Sequence, residues 1–97
     1  MGSKRRGRLR LAAVRRRIDR LDVQLLRLVN LRARLALEIG RIKHGKKWPV
    51  YDSARETFVL RHAIRLNRGP LSSAAVRRIF QAVLTQCRRR ERGATRK

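Results

Sequence analysis

The chain has 97 residues, of which 42% are hydrophobic, so its length and apolar content suit one folded domain near the lower end of comfortable core size. It carries 28 Lys and Arg residues against only six Asp and Glu residues, a formal charge of +22 that predicts attraction to polyanions such as RNA and to small anions. Its single cysteine, Cys87, excludes an internal disulfide, and no zinc-binding motif is present.

The N-terminal residues 1–8 are rich in Lys and Arg and are predicted to form a disordered basic segment. The apolar run that follows is broken by Arg10 and Arg15, so it is too short for a signal peptide and far too short to cross a membrane. We therefore expect a cytoplasmic protein without a membrane partner.

A heptad pattern predicts one very long first helix, over about residues 9–44. Ten positions follow 3-4 spacing, and nine of them are apolar. We call this set the seam, and its members are Leu11, Val14, Ile18, Leu21, Leu25, Leu28, Arg32, Leu35, Ile39 and Ile42. Such a helix would be about 50 Å long, whereas a compact globule of this chain length measures roughly 25–30 Å across. One chain cannot bury the seam alone, so self-association is the simplest solution.

A second helix is predicted over residues 53–67. Gly45 and Pro49 are expected to end the first helix. Asp52 is a good N-cap residue, and Ser53 also begins a sequence with capping-box spacing, so either can start the second helix.

A third helix is predicted over residues 72–91, with Ser72 or Ser73 as its cap and a basic tail over 92–97. Before it, Gly69 is expected to end the second helix in a left-handed conformation. No segment shows strand-like alternation, so the fold class is all-α.

Charged residues occupy several positions where apolar ones are expected. Arg32 interrupts the seam, and Lys43, eleven residues later, points within about 20° of the same direction, roughly 16 Å along the axis. Glu91 ends the apolar stripe of the third helix. Arg15 lies some 25 Å from Arg32 along the helix, so it can share a small ligand with Arg32 only across an antiparallel dimer.

Together these cations and acids indicate a pocket for a dianion. Each also has a purely structural interpretation. Arg32 can satisfy a buried acid, Glu91 can be a solvated helix end, and Asp52 and Glu56 can be capping residues only.

Four blocks of the sequence carry a family resemblance, and in chain order they are "IDRLDVQLLRLVNLRARLALEIGRIK", "PVYDSARE", "LNRGPLS" and "RIFQAVL". Cys87 and Glu91, which follow the last block, also contribute to it. In this order and spacing they resemble the all-helical (AroQ-type) chorismate mutases, from about Leu11 to Glu91. The resemblance implies an interlocked helical-bundle homodimer of three-helix subunits with two active sites. It also implies the intramolecular Claisen rearrangement of chorismate to prephenate in the shikimate pathway, without cofactor or metal.

The resemblance assigns three cations to the substrate. Arg32 would bind a substrate carboxylate, and Arg15 would do so in the site of the other subunit. Lys43 would contact a carboxylate and the ether oxygen. Lys43 and Arg32, with Glu91, would form the catalytic set.

The remaining site residues also follow from the resemblance. Asp52, largely through its backbone, and Glu56 would hold the ring hydroxyl, and Arg55 would support the pocket electrostatically. Cys87 would lie near the ring carboxylate. Glu91 would hydrogen-bond the ether oxygen, which requires a protonated carboxyl, so activity should fall as pH rises and Glu91→Gln should flatten that fall.

Three other interpretations remain open. An isochorismate-pyruvate lyase of the same fold would use a similar pocket on an isomeric substrate. A basic helical nucleic-acid-binding protein would explain the charge directly but not Arg32 on the seam or Glu91 on the third helix. A non-catalytic homologue is the third.

Overall fold

Three α-helices form the part of the chain that the computed structural model describes, residues 2–94. They are α1 (Gly2–Lys46), α2 (Ser53–Leu66) and α3 (Ser73–Gly93). No strand occurs within this range, which confirms the all-α class. Residues 1 and 95–97 lie outside it, and with them half of the predicted basic tail of residues 92–97. The first two residues of that tail, Arg92 and Gly93, belong to α3.

The helix α1 begins earlier than the sequence indicated. Residues 1–8 were expected to be disordered, whereas residues 2–8 form its first turns. The physical reason is local: Lys, Arg and Leu are good helix formers, and no proline interrupts this segment. Between residues 2 and 94, no helix has the length and apolar character needed to cross a membrane.

A left-handed lysine ends α1. The sequence indicated Gly45 as a stop signal, but Gly45 lies inside the helix and Lys47 adopts the positive φ of 59°. The Lys47 N–H donates to the His44 carbonyl at 3.1 Å, and the Trp48 N–H donates to the Lys43 carbonyl at 2.8 Å. These bonds satisfy carbonyls of the last turn, as a C-terminal cap requires.

Side-chain caps start the other two helices. The Asp52 Oδ1 accepts from the Arg55 N–H at 3.0 Å, and the Ser72 Oγ accepts from the Ala75 N–H at 3.1 Å. Asp52 and Ser72 are therefore the caps among the residues that the sequence left as alternatives.

Asn67 shapes the turn that follows α2. Its side-chain Oδ1 accepts from the Gly69 N–H at 3.1 Å, and its Nδ2 donates to the Leu71 carbonyl at 2.7 Å. No glycine within residues 2–94 has a positive φ, so the expectation of a left-handed Gly69 was wrong. The amide side chain holds the turn instead, which removes the need for a left-handed residue.

The chain divides into two compact units, residues 1–31 and 32–97. Within residues 2–31 the N-terminal unit contains only the first part of α1, and none of these residues is buried. Every seam position in it is exposed, from Val14 at 41% to Leu28 at 64%.

The C-terminal unit contains the buried core. Its buried apolar side chains are Ala36, Val76, Leu84 and Cys87. At Gly40 the helices α1 and α3 lie close together, because a Cβ added there would lie 2.5 Å from the Glu91 carbonyl oxygen and 2.8 Å from its Cα. A glycine is required at such a close approach.

Candidate active site

A cavity of about 420 Å³ lies within the C-terminal unit. Its walls come from residues 32–43 of α1, the connection after α1, and one face each of α2 and α3. The volume falls in the range of about 300–1,000 Å³ that is typical of small-molecule sites.

Helical spacing explains which residues face the cavity. The α1 wall includes Arg32, Ala36, Ile39 and Lys43. The α2 wall and its cap comprise Asp52, Arg55, Glu56 and Val59. The α3 wall comprises Leu84, Cys87, Arg88 and Glu91. In each set the residues recur at intervals of one, three or four, so they share one side of their helix.

Lys43 is held between α3 and the connection before α2. Its Nζ lies 3.1 Å from the Glu91 Oε2, and it donates to the Val50 carbonyl at 2.6 Å. The two side chains of the ion pair are only 17% and 14% exposed, so water screens the pair less than it would a surface pair. Lys43 is therefore fixed with its ammonium group at the cavity wall.

Arg88 and Glu56 form a second ion pair in the wall. The Arg88 Nε and Nη2 donate to the two Glu56 oxygens, each at 2.8 Å. This bond to Glu56 raises the pKa of Arg88 above its already high ordinary value, so Arg88 is charged at any physiological pH. Arg88 was not identified from the sequence. Its position four residues after Leu84 and three before Glu91 is the signal that could have done so.

Two cations of the cavity wall lack such a partner. Within residues 2–94, neither Arg32 nor Arg55 pairs with a carboxylate. The Arg55 guanidinium lies over the Phe58 ring at 5.2 Å from its centroid, and Arg32 is half-buried. Cations without a carboxylate partner, beside apolar walls that include Leu84, suit an anionic ligand.

The structure brings together seven of the eight site residues predicted from the sequence. The seven residues that line the same cavity are Arg32, Lys43, Asp52, Arg55, Glu56, Cys87 and Glu91. The eighth, Arg15, is exposed in the N-terminal unit and does not line it. Cys87 is a buried free thiol. In the described range, no group of three or more His, Cys, Asp and Glu side chains is arranged to hold a metal ion.

These features define an all-helical protein with a cavity of small-molecule size that is lined by four cations and three acids. Comparison with known proteins specifies the class further, because residues 14–92 match the family model described as chorismate mutase type II. The match covers most of the chain, so the chain belongs to the chorismate mutase type II family. The resemblance inferred from the sequence is thereby confirmed.

Curated relatives and solved structures agree with this assignment. A bifunctional chorismate mutase/prephenate dehydratase of Pseudomonas aeruginosa is 40% identical over 82 residues, which cover 79% of this chain. One of Neisseria gonorrhoeae is 42% identical over 81 residues, or 84% of this chain. This chain spans only 22% of the length of either relative. The solved structure of a chorismate mutase (Form II) from Thermus thermophilus matches with a TM-score of 0.84 and 32% identity, over 86% of this chain and 94% of that one.

Proposed function

We propose that this chain catalyses the rearrangement of chorismate to prephenate. The single observation that carries the proposal is the cavity itself, in which Arg32 and Arg55 have no carboxylate partner among residues 2–94. A dicarboxylate substrate supplies the two anions that such a site lacks. The proposal includes a cytoplasmic location and a role in aromatic amino acid biosynthesis.

The chemistry requires positioning and electrostatics only. In an intramolecular Claisen rearrangement one C–O bond breaks while one C–C bond forms, and the enzyme must hold the enolpyruvyl arm over the ring. Negative charge develops on the ether oxygen as the C–O bond breaks. Lys43, anchored by the Val50 carbonyl, is proposed to stabilise that charge, and Arg32 to bind a substrate carboxylate.

Glu91 is proposed as the second group at the ether oxygen. A carboxylic acid can donate a hydrogen bond to that oxygen, whereas a carboxylate can only accept one. In the structure the Glu91 carboxylate pairs directly with Lys43. The substrate's ether oxygen would replace this direct pairing, since both side chains point to the same part of the cavity wall.

The other end of the cavity is proposed to hold the ring. The Asp52 Oδ1 caps α2, and the Asp52 carbonyl accepts from the Glu56 N–H at 3.1 Å. Asp52 is therefore proposed to contact a ligand through its backbone N–H. Glu56 is proposed to accept a hydrogen bond from the ring hydroxyl, and Arg55 is proposed to supply positive electrostatic potential nearby. Cys87 is proposed to lie beside the ring carboxylate, at the buried end of the α3 wall.

A homodimer is part of the proposal. The exposed apolar seam of α1 supports it, because leaving so many large aliphatic side chains in water is unfavourable and a second copy offers a matching seam. The dimer also gives Arg15 a role, since Arg15 of the partner subunit would then bind substrate in this chain's cavity.

Non-specific binding of RNA is proposed as a secondary property. In residues 2–31 every Lys and Arg is exposed, and the only acids there are Asp19 and Asp22. Such a surface releases counterions from a polyanion, so binding should weaken steeply with salt. Gel-shift titrations at about 50 and 200 mM salt test it, and equal affinity at both would contradict it.

Loss of chorismate absorbance in moderate salt, with prephenate identified as product, tests the main proposal. Arg32→Ala should lower kcat/KM by ~10²–10³ because a cavity cation is lost. Arg34→Ala removes the same charge from an exposed position two residues away and should change little. A folded wild-type dimer without turnover would contradict the proposal, and isochorismate and then RNA would be tested next.

A further inference from the structure

Arg88 is a cavity residue to which the proposed function gives no role. It lies on α3 between Cys87 and Glu91 and is half-buried in the cavity wall. Because its charge is permanent, a cation in this place affects the electrostatics of any bound dianion. Its contacts indicate what it does.

The bond between Arg88 and Glu56 is a two-point contact. The Arg88 Nε and Nη2 each donate to a different oxygen of Glu56, both at 2.8 Å. Paired parallel bonds of this kind fix the plane of a carboxylate as well as its distance. Each carboxylate oxygen keeps a second lone pair, so Glu56 can still accept a hydrogen bond from a ligand.

Tyr51 holds the arginine from another side. The Arg88 guanidinium lies over the Tyr51 ring at 5.1 Å from its centroid. Tyr51 belongs to the connection that leads into Asp52, the cap of α2. Arg88 therefore ties α3 both to α2 and to the segment before it, and its own position is fixed.

The charges around Glu56 explain why it needs to be held. Arg32, Lys43 and Arg55 line the same cavity, and a carboxylate free to move would be attracted to them. Such a pairing would neutralise a cation that the substrate requires. The fixed bond to Arg88 prevents this and leaves Arg32 and Arg55 available.

We propose that Arg88 is a positioning residue that fixes Glu56. Held in this way, Glu56 accepts a hydrogen bond from the substrate's ring hydroxyl and does not neutralise the cations that bind the substrate's carboxylates. This inference rests on the proposed function. It assigns Arg88 no direct contact with the substrate, which separates it from the binding cations.

A double-mutant cycle tests the inference. Arg88→Met should lower kcat/KM for chorismate by about tenfold to a hundredfold, since a misplaced group near the reacting ligand has effects of that order. Arg88→Lys should restore only part of the loss, because a lysine cannot make two parallel bonds. In a Glu56→Gln background, Arg88→Met should have little further effect, because the residue through which it acts is already altered.

A second substrate distinguishes positioning from mere structural support. An analogue of chorismate whose ring hydroxyl is methylated cannot donate a hydrogen bond to Glu56. With this analogue Arg88→Met should cost much less in kcat/KM than with chorismate. Arg89→Met is the matched control, since it removes the same charge from an exposed position on α3 and should affect neither substrate.

Each outcome is decisive. Additive effects of Arg88→Met and Glu56→Gln would mean that Arg88 acts independently of Glu56 and would overturn the inference. So would equal losses with both substrates, or unchanged kinetics in Arg88→Met. A wild-type protein that converts no chorismate would overturn the proposed function and this inference together, whereas the other results overturn the inference alone.

Discussion

The two units of the chain differ in how far their apolar side chains are buried and in how their charged side chains are paired. In the C-terminal unit, Ala36 and Leu84 are buried and two ion pairs lie in the wall of a cavity. In residues 2–31 nothing is buried, and the seam side chains are exposed in water. The C-terminal unit contains its own core, while the N-terminal unit presents an apolar surface without one.

This contrast indicates that α1 carries two apolar faces with different purposes. Within the C-terminal unit, Ala36 and Gly40 are buried. The seam residues Leu35, Ile39 and Ile42 remain 51%, 43% and 58% exposed in the same unit. One face therefore packs in the chain's own core. The seam, from which Arg32, Leu35 and Ile39 line the cavity, is the face proposed to be covered by a second copy.

A charge placed on the seam should have the largest effect. Leu25→Lys buries an ammonium group in the proposed dimer interface, where an unpaired charge is costly. The variant should be monomeric, and kcat/KM should fall by at least ~10², because the partner's Arg15 is no longer supplied. Light scattering and turnover at the same concentration measure both effects.

Gln24→Lys is the control, because it adds the same charge one residue away and off the seam. It should leave both the mass and the turnover close to those of the wild type. A Leu25→Lys protein that is monomeric and fully active would show that one chain has a complete site.

The pH profile tests the Lys43–Glu91 end of the cavity. Because Glu91 must donate a hydrogen bond to the ether oxygen, which only its protonated form can do, kcat/KM should fall as pH rises. Glu91→Gln donates through an amide at every pH, so its profile should be flat over that range. Profiles of the two proteins with the same slope would remove Glu91 from the mechanism.

Gly40 and Gly45 provide a matched pair that probes the C-terminal unit. Gly40→Ala should lower the free energy of unfolding by about 1–3 kcal/mol, since the added methyl group meets the backbone of Glu91. Gly45→Ala should raise it by about 0.5–1 kcal/mol, because nothing lies within 4 Å of the added atom and alanine favours the helix. Chemical denaturation measures both, and equal shifts would contradict the close approach at Gly40.

The smallest effect is expected at the end of α1. Lys47 is left-handed, so Lys47→Gly should raise the free energy of unfolding by about 0.5–1 kcal/mol. Lys46→Gly, which removes the same charge inside the helix, should lower it by about 1 kcal/mol or less. Thermal unfolding of the two variants checks the difference in sign.

Local sequence signals predicted much of the fold. The heptad pattern predicted most of α1. Asp52 and Ser72 were each one of two residues predicted as alternative caps, because their side chains are short acceptors at helix starts. The ends of α1 and α2 were predicted less well. Gly45 and Gly69 are the residues that local conformational preference favours for a left-handed position, but hydrogen bonding around Lys47 and Asn67 decided the structure.

The candidate site was predictable where one helix carries the pattern and not where two helices meet. Arg32 and Lys43 were identified because a charge interrupts or follows an apolar stripe of α1. Arg88 was not identified because its role depends on a contact with Glu56, 32 residues away in the sequence, and therefore on how α2 packs against α3. The pattern within one helix does not show which residues of another helix lie beside it.

Mixed dimers test the central claim most directly, namely that the cavity of one chain is completed by Arg15 of a second. Arg15→Ala and Arg32→Ala chains would each be assayed alone and after refolding together in equal amounts. Each alone should be nearly inactive, whereas the mixture should recover about a quarter of wild-type turnover, because half of the dimers carry one intact site of two. A mixture no more active than its parts, with dimers formed, would contradict the account, and so would an Arg15→Ala protein that retains full activity.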